Sequence, residues 1–179
     1  GHLDLDHLRR ELERHAGRPL LIGSFSAASN VTGIMTETHA VTQLLHEHGA
    51  LSCWDYAAAA PYVDIDMNPV CEEHPDPHKD VVVLSPHKFV GGPGTPGVLA
   101  IRRELVTNSV PDVVGGGTVA FVAPNGHSYL DDPEHREEAG TPAIVESIRA
   151  GLVFKLKASV GPAVIRAHED DLVRRAISA

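Results

Sequence analysis

Cysteine is nearly absent. Cys53 and Cys71 are the only two in 179 residues. Two thiols build no disulfide framework, which excludes a small stapled secreted fold and makes a reducing, cytoplasmic setting the expectation. Basic charge is also short. Fifteen Lys and Arg stand against 24 Asp and Glu, a formal net charge of −9. That balance argues against nucleic acid and against an anionic membrane surface as partners. No apolar run approaches the roughly 18 residues a membrane-spanning helix needs. No signal peptide, internal repeat or low-complexity segment is visible, and the start, Gly1-His2-Leu3-Asp4, lacks an initiator Met and reads as a tag remnant.

What is present suits a soluble globular domain. Hydrophobic residues make up 42% and charged residues 22%. A chain of this length buries roughly 70% of its unfolded surface. Residues 4–16 put Leu5, Leu8 and Leu12 on one stripe, the spacing of an amphipathic helix. Leu20 to Ser24 reads as a strand that ends in small polar residues, followed by a turn at Asn30-Val31-Thr32-Gly33. A second helix over 36–50 turns Val41, Leu44 and Leu45 inward and stops at Gly49. "LSCWDY" is a second strand, "VVVLS" a third and "GVLAIRR" a fourth. Residues 68–80, with three prolines and mixed charge, read as a surface loop. Residues 111–124 read as a fifth extended segment broken by three glycines, and Pro142–Ala158 and Pro162–Ala176 as helices. Alternating strands and helices imply an α/β fold with a mainly parallel sheet flanked by helices.

Ligands of open α/β sheets sit beyond the C-terminal ends of the strands. Three such ends carry polar residues here: Ser26 to Asn30, Asp55, and Ser85-Pro86-His87-Lys88. If these strands are neighbours, Asn30, Asp55 and Lys88 converge on one pocket. Taken singly, each residue is ordinary: a solvated loop lysine, an aspartate that caps a turn. Together they suit pyridoxal phosphate, which takes a lysine amine at its aldehyde, an acid at its ring nitrogen, and hydroxyl or imidazole groups at its phosphate. Lys88, Asp55, Ser85 and His87 are of those types.

Five short motifs occur in a particular order: "SNVTG" at 29–33, "WDYAA" at 54–58, "SPHK" at 85–88, "GGG" at 115–117 and "REEAGTP" at 136–142. In this the chain resembles the class V aminotransferase family, the cysteine desulfurase and selenocysteine lyase group of fold-type I enzymes, over about residues 3 to 160. The resemblance implies that Lys88 forms the internal aldimine with pyridoxal 5'-phosphate. It implies that Asp55 pairs with the pyridine nitrogen and that Ala57 lies under the ring. Ser85 and His87 would bind the phosphate, and Asn30 would lie near the phenolic oxygen or the substrate. Thr141 would reach the phosphate of a neighbouring subunit, which implies a homodimer. The substrate would be an amino acid, with the bond broken left open among C–S or C–Se cleavage, transamination, epimerisation and another β-elimination.

The chain departs from the family pattern in two ways. Ala58 stands where the family often has a Gln that holds the phenolic oxygen. Segments expected on either side, including an arginine for the substrate carboxylate and a mobile nucleophilic cysteine, are not found, and neither Cys53 nor Cys71 matches that cysteine. Residues 1–160 therefore read as the central part of a large domain, and 161–179 as a helix leading toward a small domain. The chain by itself is expected to be inactive and to hold the cofactor weakly. Two other readings stay open. One is a cofactor-free α/β relic that only dimerises. The other is a metal-binding domain using His46-Glu47-His48 or His74 with His78. His46 and His48 sit two apart on a helix and face apart, so no metal site is expected.

Overall fold

The structure, a computed structural model, describes residues 2–70, 72, 73, 75 and 77–179. Cys71 and His74 lie outside the described residues. In chain order the elements are α1 (Leu5–Arg14), β1 (Ile22–Ser26), α2 (Thr38–Glu47), β2 (Leu51–Asp55), β3 (Val81–Leu84), β4 (Val98–Ile101), β5 (Val119–Ala123), β6 (Gly126–Tyr129), α3 (Pro133–Arg136), α4 (Ile144–Val160) and α5 (Pro162–Ser178). Asp4 caps α1 by accepting from the His7 amide at 2.9 Å. The C-terminus of α2 closes with the Gly49 amide donating to the His46 carbonyl and the Ala50 amide to the Leu45 carbonyl, each at 2.9 Å. These paired bonds satisfy carbonyls that a helix end would leave orphaned, and they stop the helix at Gly49.

The main sheet has the order β1-β2-β3-β4. The first three strands are parallel and β4 runs antiparallel at the edge. One face carries Phe25, Trp54, Val82 and Ala100 and is the packed one. Val41, Leu44 and Leu45 of α2 are buried with Trp54 and Val82 in one core cluster. Trp54 is fully buried, and its indole N–H donates to the Thr42 hydroxyl of α2 at 2.8 Å. The opposite face leaves Ile22, Leu99 and Ile101 exposed. Side chains alternate along a strand, so Asp55, next to Trp54, belongs to that open face.

Three expectations need correction. The first strand starts at Ile22 rather than Leu20, which is exposed. The fifth extended segment does not join the sheet; only Val119–Ala123 is a strand, and it forms a separate hairpin with β6. The end of the segment 68–80 is not a surface loop, because Pro77, Lys79 and Asp80 are buried. The Lys79 ammonium is spent on the Asp66 carbonyl at 2.9 Å, and burial pushes its pKa down while Asp66 opposes the shift.

Candidate functional site

β2 lies between β1 and β3, and its last residue fixes the site's edge. Asp55 stands opposite Ser26 on one side and Val83 on the other. The Ala27 amide donates to the Asp55 carbonyl at 2.8 Å, and the Tyr56 amide to the Val83 carbonyl at 3.0 Å. Three chain segments thus leave the sheet side by side.

The first of them, after β1, is a loop held by the Ser29 hydroxyl, which accepts from the Val31 and Thr32 amides at 3.2 Å each. Asn30 sits on that turn, exposed. In the second, the Asp55 Oδ1 accepts from the Ala57 amide at 2.7 Å. One carboxylate oxygen therefore closes the turn, and half-buried Ala57 is its far end.

The third segment carries the lysine. Ser85 follows β3, and Pro86–Lys88 form one 3-10 turn in which the Lys88 amide donates to the Ser85 carbonyl at 3.0 Å. Pro86 and Phe89 are buried while His87 and Lys88 between them are exposed. Phe89 meets Phe154 of α4 edge-on, ring centroids 5.2 Å apart. The buried pair at either end forces the imidazole and the amine outward. The loop then doubles back so tightly that a Cβ on Gly92 would lie 1.9 Å from the Pro86 carbonyl oxygen. Only glycine fits that approach.

Thr141 is on a different loop, between α3 and α4. The Gly140 amide beside it donates to the Gly116 carbonyl at 2.8 Å, which joins "REEAGTP" to "GGG". Arg136 and Glu137 of that motif bond to the surrounding fold. Arg136, buried, donates to the Leu130 and Asp131 carbonyls at 3.2 Å each. Glu137 accepts from the Asn108 side chain at 2.7 Å and the Asp112 amide at 3.2 Å.

Sequence reasoning missed Lys157. It reads as a surface charge on a long helix, yet its ammonium donates to the Ala60 and Val63 carbonyls in the segment after Asp55. A lysine four residues from the apolar Val153 gave no signal of this, since its partners are nearly a hundred residues away. Cys53 is a free thiol, half-buried within β2.

The whole chain, residues 1–179, matches the sequence profile of the family Aminotransferase class-V. It belongs to the class-V aminotransferase family. The "Probable cysteine desulfurase" of Streptomyces coelicolor is 30% identical over 177 residues, 99% of this chain and 39% of the relative. That of Aeropyrum pernix is 31% identical over 147 residues, covering 80% of this chain and 34% of the relative. The apo structure of the cysteine desulfurase from Thermococcus onnurineus NA1 superposes with a TM-score of 0.82 at 27% identity, over 99% of this chain and 41% of that one. The chain thus spans about 39% of the length of the Streptomyces relative.

Class-V aminotransferases, cysteine desulfurases among them, are pyridoxal-phosphate enzymes, and the residues present fit that cofactor. Amine, carboxylate, hydroxyl and imidazole are supplied from adjacent strand ends, and the small Ala57 leaves room beside Asp55. The Thr95 hydroxyl, on the same loop as Lys88, is buried without a hydrogen-bond partner among the described residues. Ala58 carries no group able to donate to the phenolic oxygen.

Proposed function

We propose that this chain carries the cofactor-anchoring part of a pyridoxal-phosphate enzyme that acts on an amino acid. The observation that supports it is the register in which Ser26, Asp55 and Val83 stand side by side. It puts a carboxylate next to the strand that delivers Lys88. In this reading Lys88 is the amine that carries the cofactor, and afterwards it moves a proton at the substrate's α-carbon. Asp55 keeps the pyridine nitrogen protonated through its carboxylate, Ala57 lies beneath the ring, and Ser85 and His87 hold the phosphate. Asn30 lies near the phenolic oxygen, and Thr141 reaches the phosphate site of a second copy in a homodimer. The cofactor, when bound, supplies the electron sink that makes bonds at the substrate's α-carbon labile. The relatives' names make cysteine the first substrate to assay.

The test is labelling. The full-length protein, incubated with pyridoxal phosphate, is reduced with borohydride and mapped by mass spectrometry. The expected result is one pyridoxyl group per chain at Lys88, lost in Lys88→Ala and weakened in Asp55→Ala. Labelling at another lysine, or unchanged labelling in Lys88→Ala, overturns the assignment.

A further inference from the structure

A second cluster of chemistry-bearing side chains lies at the opposite end of the strands. His46 is in the last turn of α2, and Asp80 immediately precedes β3. His46 Nε2 lies 2.9 Å from Asp80 Oδ2, and His78 Nε2 lies 3.5 Å from Asp80 Oδ1. The two imidazole rings stack at 4.3 Å between centroids. One donor atom from each of the three residues lies within 4.8 Å of the others. Donor atoms bound tetrahedrally at about 2.0–2.1 Å from a zinc ion stand about 3.3 Å apart, so only small side-chain shifts separate this arrangement from a coordination shell.

We propose that His46, His78 and Asp80 form a binding site for a divalent transition-metal ion of the zinc type. The Asp80 carboxylate is already fixed for this task. Its Oδ2 accepts from the Ser52 amide at 2.7 Å and the Ser52 hydroxyl at 3.0 Å, which leaves Oδ1, the oxygen nearest His78, as the ligand atom. Its side chain is 6% exposed and that of His46 11%, whereas that of His78 is 27% exposed. The anionic ligand is thus buried, and entry is from the His78 side. The ion would sit at the C-terminal end of α2, where the helix dipole favours positive charge. Two imidazoles and one carboxylate select zinc-type ions over magnesium or calcium, which take oxygen ligands. Among the described residues three side chains supply ligands, one fewer than a tetrahedral shell holds.

Along the sequence His46 neighbours His48 and His78 neighbours His74, pairings that point to no metal site. The fold pairs His46 with His78 and Asp80 instead, through the adjacency of β2 and β3. Ser85 lies five residues further along the chain, about 16 Å away at strand spacing. The ion therefore acts on the scaffold, clamping α2 to the start of β3, and is independent of the lysine turn.

The test uses the full-length protein stripped with a chelator and titrated with Zn²⁺ and, for its visible absorption, Co²⁺. One equivalent should bind, survive dialysis and raise the melting temperature, while Mg²⁺ does none of these. His78→Ala and His46→Gln should each weaken binding about a hundredfold, and His48→Ala should not change it. His78→Ala also loses the ring stack on His46, so the readout is the rise in melting temperature on adding Zn²⁺, which should be absent in that variant whatever its metal-free value. Absence of saturable Zn²⁺ binding overturns the proposal, and so does wild-type Zn²⁺ affinity in either His78→Ala or His46→Gln.

Discussion

The ammonium of Lys157 lies 5.7 Å from the centroid of the Phe89 ring. The same group donates to the Ala60 carbonyl at 2.7 Å and to the Val63 carbonyl. One side chain of α4 thus ties the segment after Asp55 to the segment after Lys88. Burial pushes the Lys157 pKa down and Asp64 opposes the shift. Lys157→Met keeps the apolar stem but strands two carbonyls, and should cost about 1–3 kcal/mol in denaturant unfolding. An unchanged unfolding midpoint would show that these bonds add no net stability.

Lys88→Ala separates a cofactor-bearing lysine from a solvated one. A solvated loop lysine, when truncated, changes stability by only about 0.5 kcal/mol and leaves activity intact. A lysine that both holds the cofactor and moves the proton takes turnover with it. Turnover of the full-length protein is expected to fall to near zero, with pyridoxal phosphate still bound noncovalently and melting altered only by the cofactor's own contribution. Retention of a tenth of wild-type turnover would remove Lys88 from the mechanism.

Gly92→Ala tests the tight return of the lysine loop. The new Cβ would meet the Pro86 carbonyl oxygen at 1.9 Å, and backbone cannot swing aside as a side chain can. Relief requires moving the 3-10 turn that carries Lys88. The expected outcome is a loss of about 1–3 kcal/mol together with slower borohydride labelling at Lys88. A variant that melts and labels like the wild type would contradict the described loop path.

His135 and Asp132 at the start of α3 give a pH signature. His135 Nδ1 lies 2.5 Å from Asp132 Oδ2. The hydrogen bond to Asp132, and then its charge, raise the His135 pKa, and that bond in turn lowers the pKa of Asp132. A raised histidine stabilises fully below its unfolded pKa, near 6.5, and the effect is lost as pH rises through the folded value. The lowered aspartate stabilises above its unfolded pKa, near 3.9, and the effect is lost as pH falls through the folded value. The pair therefore contributes most between those limits. NMR titration should place the His135 midpoint above 6.5, and Asp132→Asn should return it toward that value. A midpoint that Asp132→Asn leaves in place would refute the pairing.

Local pattern made most of the scaffold legible. Apolar runs that end in polar residues marked β1, β2 and β3, and Gly49 marked the end of α2. β1 was read two residues early because Leu20 and Leu21 look like strand interior, although Leu20 is solvated. The hairpin of β5 and β6 was missed, although Pro124-Asn125 before Gly126 is a turn signal between "VAFVA" and "GHSY". "GHSY" has no apolar alternation, so periodicity gave nothing there. Asp55, Ser85, His87 and Lys88 stood out as candidates because they lie at or just beyond the ends of β2 and β3. The cluster of His46, His78 and Asp80 could not, since its members lie up to 34 positions apart and meet only through strand pairing. Lys79 and Asp80 were hidden in the same way by a proline-rich loop whose end turns inward.

Trp54 is the only tryptophan in the chain, and it directly precedes Asp55. Sealed from water and bonded to the Thr42 hydroxyl, the indole is a fluorophore in a fixed, apolar setting. Its emission should lie toward the blue end of the tryptophan range in the folded protein and move to the red on unfolding. Pyridoxal phosphate absorbs in the near ultraviolet and visible, so its arrival beside Asp55 should drain that emission by energy transfer. With the cofactor in the proposed site, the residue that anchors the packed face of the sheet would double as an optical gauge of occupancy on the other side of the strand, readable without any added label.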